Sequence, residues 1–397
     1  MPRGDERIRR IQALQAGHTH RAAETEILQI LEESSAEVLN YVLAALNLGA
    51  LFADVDDRAF GPDNRVALVD LLARRRLADL STASRALLVT ALQRARTDRQ
   101  REQAVRDVFL GTRGAELTEL KNRIDGGDDY HDLTQLLFHD LDDLTLRQEI
   151  LDHIRSEAPA SKNVDLKVLS DIDDTLYANW KDERYPKGTV YPGVRQFYEE
   201  LDCGPAASGG RQGDLAFVTA RPGERFGVVE NATQNALRER GIVGATVLAG
   251  DVTHLTTDSA IAAGKFESFR ALRALYPEYA FVFVGDSGQG DVAFGQRMLQ
   301  DSPPGKVRMV FIHDVVNTPD ADREHFRSEG IWFFDTYVGA AADALARSLI
   351  SKNGALRIAQ SAVQEFHGLA FTSDAQRQAR WRDLQRDLAR LDKHLGR

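Results

Sequence analysis

The chain has 397 residues, too many for one ordinary core; at ~150 residues per domain, two or three are expected. Its 50 Lys and Arg against 60 Asp and Glu leave a formal net charge of -10, which argues against a broad basic face for long nucleic acid. A composition 43% hydrophobic and 28% charged excludes a disordered chain, and the single Cys203 excludes a disulfide framework or a cysteine-rich zinc site. No run approaches ~20 apolar residues, so no transmembrane segment is expected. The first residues, MPRGDERIRRIQALQAG, lack the apolar centre of a secretory signal, and a cytoplasmic protein is expected.

From about Asp5 to Arg155 apolar residues recur at three- and four-residue spacing, as in AETEILQILEESSAEVLNYVLAAL and RVALVDLLARRRLADLSTASRALLVTALQRA. Asp79 and Ser81 read as breaks or caps, and Gly111, Gly114, Gly126 and Gly127 punctuate the shorter segments that follow. Without β-branched runs of period two, residues 1–160 predict an all-helical domain, whose role is not legible beyond a surface that could take a protein partner. HDLDDLT, from His139 to Thr145, mimics a metal-binding cluster, but its context predicts a helix–turn–helix passage with capping aspartates. Arg74 to Arg76 read as the solvated face of a helix.

The polar stretch SEAPASKN, 156–163, is the best linker candidate. After it, the runs LKVLS, DLAFVTA, ATVLAG, YAFVFVGD, KVRMVFIHDV and GIWFFDT are near-continuously apolar, as strands of a parallel sheet covered on both faces must be. Helical stretches such as GVRQFYEEL and GKFESFRALRALY lie between them. That alternation predicts a doubly wound, mostly parallel α/β domain over 161–345, followed by a helical C-terminal extension over 346–397.

In LKVLSDIDDTLYANW an apolar strand runs straight into Asp171, Asp173 and Asp174. Open α/β sheets bind ligands beyond the carboxyl ends of their strands. Carboxylates gathered there repel one another unless a cation neutralises them, and oxygen ligands favour a hard ion, Mg²⁺ above all. YAFVFVGDSGQGD repeats the arrangement with Asp286 and Asp291, and Gly285, Gly288 and Gly290 allow a tight loop. Gly264-Lys265 is followed by Phe266 where a P-loop needs Ser or Thr, so the nucleotide-triphosphatase and dinucleotide readings fall away.

These motifs resemble the haloacid dehalogenase superfamily of aspartyl phosphotransferases. DIDDT at Asp171–Thr175, FVTAR with Thr219, Lys265, and GDSGQGD with Asp286 and Asp291 fall in family order over roughly 164–340. More narrowly, SDIDDT, VYPGVRQFYEEL and GDSG–D resemble the catalytic domain of the actin-patch phosphatidate phosphatase group. The second motif departs from that group: TARPGERF stands where Ser-x-Ser-Pro is usual.

The resemblance implies a haloacid dehalogenase-like phosphatase domain. Asp171 would be the nucleophile and Asp173 the acid and then base. Asp171, the Asp173 carbonyl and Asp286 would hold Mg²⁺. Thr219 and Lys265 would bind the phosphoryl group, Thr175 and Asp291 would support the site, and Arg221 would contact substrate. The intervals Thr175–Leu215 and Thr219–Lys265 leave no room for a large cap domain, so an open site is expected. It suits a bulky or interfacial phosphomonoester, phosphatidate or a related lipid phosphate, reached through transient peripheral membrane contact. A nucleotide or polynucleotide-end phosphatase, or a scaffold on a vestigial phosphatase fold, are the alternatives.

Overall fold

The computed structural model describes all residues except 1, 17–18, 56–62, 95–97, 128–130, 159–164, 207–213, 220–227, 250–257 and 397. Two compact units emerge: Met1–Gly127 with His131–Pro159 and Ala274–Tyr276, and the remainder of the chain. The linker candidate therefore falls largely outside the described residues.

The first unit is helical throughout its described residues. Its helices are α1 (Pro2–Gln15), α2 (Arg21–Glu32), α3 (Ala36–Ala45), α4 (Leu48–Asp54), α5 (Asn64–Asp70), α6 (Thr82–Arg94), α7 (Arg99–Leu110), α8 (Gly114–Asp125), the single turn α9 (Leu133–Gln135) and α10 (Leu144–Glu157). Side-chain oxygens of Ser35, Asn47, Asp98 and Asp143 accept first-turn N–H groups, which explains why the chain breaks where it does. Asp143, within the acidic HDLDDLT stretch, is such a cap. Arg74 and Arg75 pair with Asp70, Asp107 and Glu32 as solvated residues do, but Arg76 is half-buried and donates to the carbonyls of Leu31, Glu32 and Ser34. No single described helix is long and apolar enough to cross a membrane.

The second unit is built on six parallel strands: β1 (Leu166–Ser170), β2 (Leu215–Thr219), β3 (Thr246–Ala249), β4 (Ala280–Asp286), β5 (Val307–His313) and β6 (Ile331–Phe334). Their order is β3-β2-β1-β4-β5-β6. β1 and β4 are buried along their whole length, as their unbroken apolar sequences require. The helices are α11 (Val194–Cys203), α12 (Val228–Glu239), α13 (Asp258–Leu275), α14 (Asp291–Asp301), α15 (Asp320–Ser328), α16 (Tyr337–Ala346), α17 (Lys352–His367) and α18 (Asp374–Leu395).

The C-terminal helices share the core of this unit: Ile358, Ala362, Phe366, Leu384 and Leu391 join one apolar cluster with Val168, Phe197 and Phe217. Polar ties reinforce it. Arg357 holds Glu200 through two hydrogen bonds (2.6 and 2.7 Å), Glu365 accepts the Gly193 N–H (2.7 Å), and Thr336 donates to Asp387 (2.7 Å). Gly193 has φ 85°, and a Cβ there would lie 3.0 Å from the Ala362 Cβ, so α17 can approach only a glycine.

Candidate active site

The strand order reverses between β1 and β4, which leave the sheet in company: the Asp171 N–H donates to the Val284 carbonyl (2.9 Å). In a doubly wound sheet this is the switch point, where the flanking connections diverge to opposite faces and leave a crevice. Asp171 follows β1 and Asp286 ends β4, so two acidic residues 115 positions apart in sequence enter the crevice side by side. Thr219 ends β2, one strand over, and is buried.

Lys265 reaches the same place from α13. Its ammonium, nearly inaccessible to water, donates to Asp171 Oδ1 (2.6 Å) and to Asp291 Oδ1 (2.5 Å). Asp291 opens α14 and accepts the Asp286 N–H with its other oxygen (3.2 Å). Burial by itself would push the Lys265 pKa down; the two carboxylates outweigh it and hold the ammonium well above its usual value. Burial raises Asp171, Lys265 opposes the rise, and repulsion from Asp291 adds to it, leaving that carboxyl at about 7. Gly285 permits the crowding: a Cβ there would stand 2.5 Å from Asp291 Oδ2 and 2.7 Å from the Phe283 ring.

Asp286 is the least satisfied member. Its Oδ1 accepts the Gly288 N–H (2.6 Å), whereas its buried Oδ2 has no hydrogen-bond partner. Burial, then repulsion from Asp291 and Asp171, drives its pKa well up. Carboxylate oxygens of Asp171, Asp286 and Asp291 all lie within 4.8 Å of one another. An orphaned buried oxygen in an all-oxygen cluster with excess negative charge fits a hard divalent cation. This trio contains Asp291 where the sequence had suggested Asp173, whose expected contribution is a backbone carbonyl.

The turn after β1 is organised by Asp174, which adopts φ 59°. Its carboxylate accepts the backbone N–H groups of Asn179 (2.7 Å), Trp180 (3.1 Å), Lys181 (2.6 Å) and Asp182 (3.4 Å), winding the chain around one side chain. That winding brings the Asn179 amide to Asp173 Oδ1 (2.8 Å). Thr175 is fully buried and its hydroxyl has no partner; its carbonyl accepts the Tyr337 hydroxyl (2.7 Å). Ser170 donates to the Asp171 carbonyl (2.7 Å), so Tyr198, at 2.7 Å, is the donor to Ser170.

Beneath the turn, His313 at the end of β5 donates from Nδ1 to the Asp174 carbonyl (2.9 Å) and accepts Arg184 at Nε2 (3.0 Å). Burial pushes this imidazole down to about 4, and the facing guanidinium pushes the same way. Arg184 in turn is anchored on Asp182 (2.8 Å), which also accepts the Tyr191 hydroxyl (2.8 Å).

Asp171, Lys265, Asp286 and Asp291 thus converge on one buried cluster, with Asp173 and Thr175 in the adjoining turn. Arg221 lies outside the described residues, as does most of TARPGERF. Asn179, Tyr198, Tyr337 and His313 support the site without having been legible in sequence. For Asn179 alone there was a local clue, its place in the turn opened by DIDDT.

A parallel sheet with an acidic cluster and a buried lysine at its switch point defines an α/β unit suited to handling phosphoryl groups. Residues 166–314 match the family described as phosphatidate phosphatase APP1, catalytic domain. That segment carries the phosphatase domain of this family, and the chain is accordingly an enzyme of the phosphatase class. No curated protein and no solved structure matches the chain.

Proposed function

We propose that the protein is a Mg²⁺-dependent phosphomonoesterase of haloacid dehalogenase type that forms an aspartyl-phosphate and acts on phosphatidate or a related lipid phosphate. The observation that carries this reading is the Lys265 bridge between Asp171 and Asp291 at the β1–β4 switch point. Asp171 attacks phosphorus through the carboxylate oxygen not engaged by Lys265. Lys265 steadies that carboxylate and places positive charge beside the phosphoryl oxygens, together with the Thr219 hydroxyl. Asp173, held by Asn179, delivers a proton to the leaving alkoxide and takes one from the water that later attacks the aspartyl-phosphate. Asp171, Asp286 and the Asp173 carbonyl would hold Mg²⁺, which offsets the repulsion between an anionic nucleophile and an anionic ester. Asp291 and Thr175 support the site, and Arg221 is assigned to substrate contact.

The lipid substrate is supported by the family match, and the enzyme would meet it from the cytoplasm by transient contact with a membrane. The test is phosphate release with and without Mg²⁺ from short-chain phosphatidate, lysophosphatidate, nucleotides, a 3′-phosphorylated oligonucleotide and a phosphopeptide. Metal-dependent release from the lipids, abolished in Asp171→Asn, is expected. Undiminished release in that variant sinks the mechanism, and preference for nucleotides over every lipid sinks the substrate.

A further inference from the structure

Among the described residues of the second unit, the most exposed large apolar side chains are Val243 (74%), Trp180 (71%) and Val316 (49%). Val243 precedes β3 at the amino edge of the sheet. Trp180 and Val316 follow β1 and β5 at the carboxyl edge, where the acidic cluster lies. The loop after β4 links them. A Cβ on Gly288 would lie 3.0 and 3.2 Å from the Lys181 Cγ and Cβ, so the lysine stem rests against that loop. On the other side, Ser287 accepts the Val315 N–H (2.9 Å) and donates to Asp314 (3.0 Å), fixing the turn that carries Val316.

A single exposed apolar residue needs no explanation. Trp180 is less ordinary, because its backbone is immobilised on Asp174 while its indole is left in water. The adjacent Lys181 and the nearby Lys187 are exposed, and among the described residues neither pairs with a carboxylate. One exposed acid, Glu183, lies between them. An indole on a fixed turn beside ammonium groups matches the interfacial layer of a bilayer, which accepts amphipathic rings at headgroup depth and lysines at its phosphates.

We propose that the 180–187 turn, with Trp180 as anchor and Lys181 as headgroup contact, docks the enzyme on an anionic lipid surface. The carboxyl edge of the sheet then faces the membrane. The inference rests on the lipid-phosphate reading. The Trp180 side chain enters the interfacial layer and Val316 supports it from the β5 turn. Lys181 meets phosphates immediately beside Asp286, so that docking presents an ester to the site without a lipid leaving the bilayer.

The test is co-sedimentation with vesicles of phosphatidylcholine and phosphatidylserine in equal amounts. The intact chain should bind, and more weakly as salt is raised. Trp180→Ala should bind about tenfold less, ~1.4 kcal/mol, and Lys181→Glu should also lose binding. An unchanged melting transition in both variants would show that the fold is kept. A second readout is the ratio of turnover on vesicle phosphatidate to turnover on monomeric dihexanoyl phosphatidate, which should fall about tenfold in Trp180→Ala. Failure of the intact chain to sediment, or wild-type binding by Trp180→Ala, overturns the proposal. If no form of phosphatidate is hydrolysed, the substrate reading fails instead, and sedimentation still decides whether this turn meets lipid.

Discussion

Asp286→Asn should make the metal-free protein more stable and the protein in Mg²⁺ no better than without it. Asp286 shares the cluster with Asp171 and Asp291, their oxygens within 4.8 Å. At 4.8 Å, the outer limit of their spacing, and an effective dielectric of ~20, each pair of ionised carboxylates would cost about 3.5 kcal/mol. Ionised, Asp286 would feel two such repulsions against one attraction to Lys265, so the metal-free fold keeps a proton on it that the unfolded chain has lost at neutral pH, and asparagine avoids that uptake. Burial favours the neutral side chain further. The amide oxygen can still accept the Gly288 N–H, and its NH₂ would donate where Oδ2 now has no partner. A net gain of about 1–3 kcal/mol is expected, with unfolding of the second unit shifted up by about 2–4 °C per kcal/mol.

The assay is calorimetry in EDTA and in excess Mg²⁺, with hydrogen exchange of the buried β1 and β4 amides locating the change in this unit. The wild type should gain stability on adding Mg²⁺, about 2.7 kcal/mol at a hundredfold excess over its dissociation constant, and Asp286→Asn should not. If Asp286→Asn is less stable than wild type in EDTA, the cluster is not an over-charged cation site. If Mg²⁺ stabilises both proteins equally, Asp286 is not a ligand.

Asn179→Ala removes a hydrogen-bond donor from the Asp173 carboxylate; kcat should fall about tenfold with the fold intact and the pH profile displaced, and an unchanged profile would remove Asn179 from the mechanism. Gly285→Ala forces a Cβ against Asp291 and the Phe283 ring and should cost about 2–4 kcal/mol in urea unfolding; neutrality would mean that the cluster can spread. His313 titrates near 4 when folded and near its ordinary 6.5 when unfolded, so the unfolded chain takes up a proton first as pH falls. Its contribution is full above about 6.5 and lost down to about 4, up to ~3 kcal/mol at ~1.4 kcal/mol per unit. The stability difference between wild type and His313→Asn should shrink by that much over the window; a constant difference would show His313 accessible and ordinary.

Strands and the acidic residues that follow them were readable from the chain because both obey local rules. A strand covered on two faces must be apolar almost without interruption, and LKVLS and YAFVFVGD are; a ligand site beyond such strands must begin at the next residues, where Asp171 and Asp286 stand. Lys265 could be proposed only from its order among the motifs, since nothing in GKFESFRALRAL distinguishes it from a surface lysine. Tyr337 could not be proposed at all: it supports the Thr175 carbonyl from 162 residues away. Asn179 lies within the turn that DIDDT opens, but its reach to Asp173 depends on the positive φ of Asp174 and was not legible.

What the sequence determined alone was the alternation of elements, their apolar faces and the acidic residues placed at strand ends. Tertiary structure decided which strand ends adjoin, and therefore which charges share a buried volume. The strand order puts β4 beside β1, folds Lys265 between Asp171 and Asp291, and leaves one Asp286 oxygen without a partner. Periodicity records burial along one element, whereas the energy of a carboxylate depends on every charge and dipole within a few ångströms, whatever its distance along the chain.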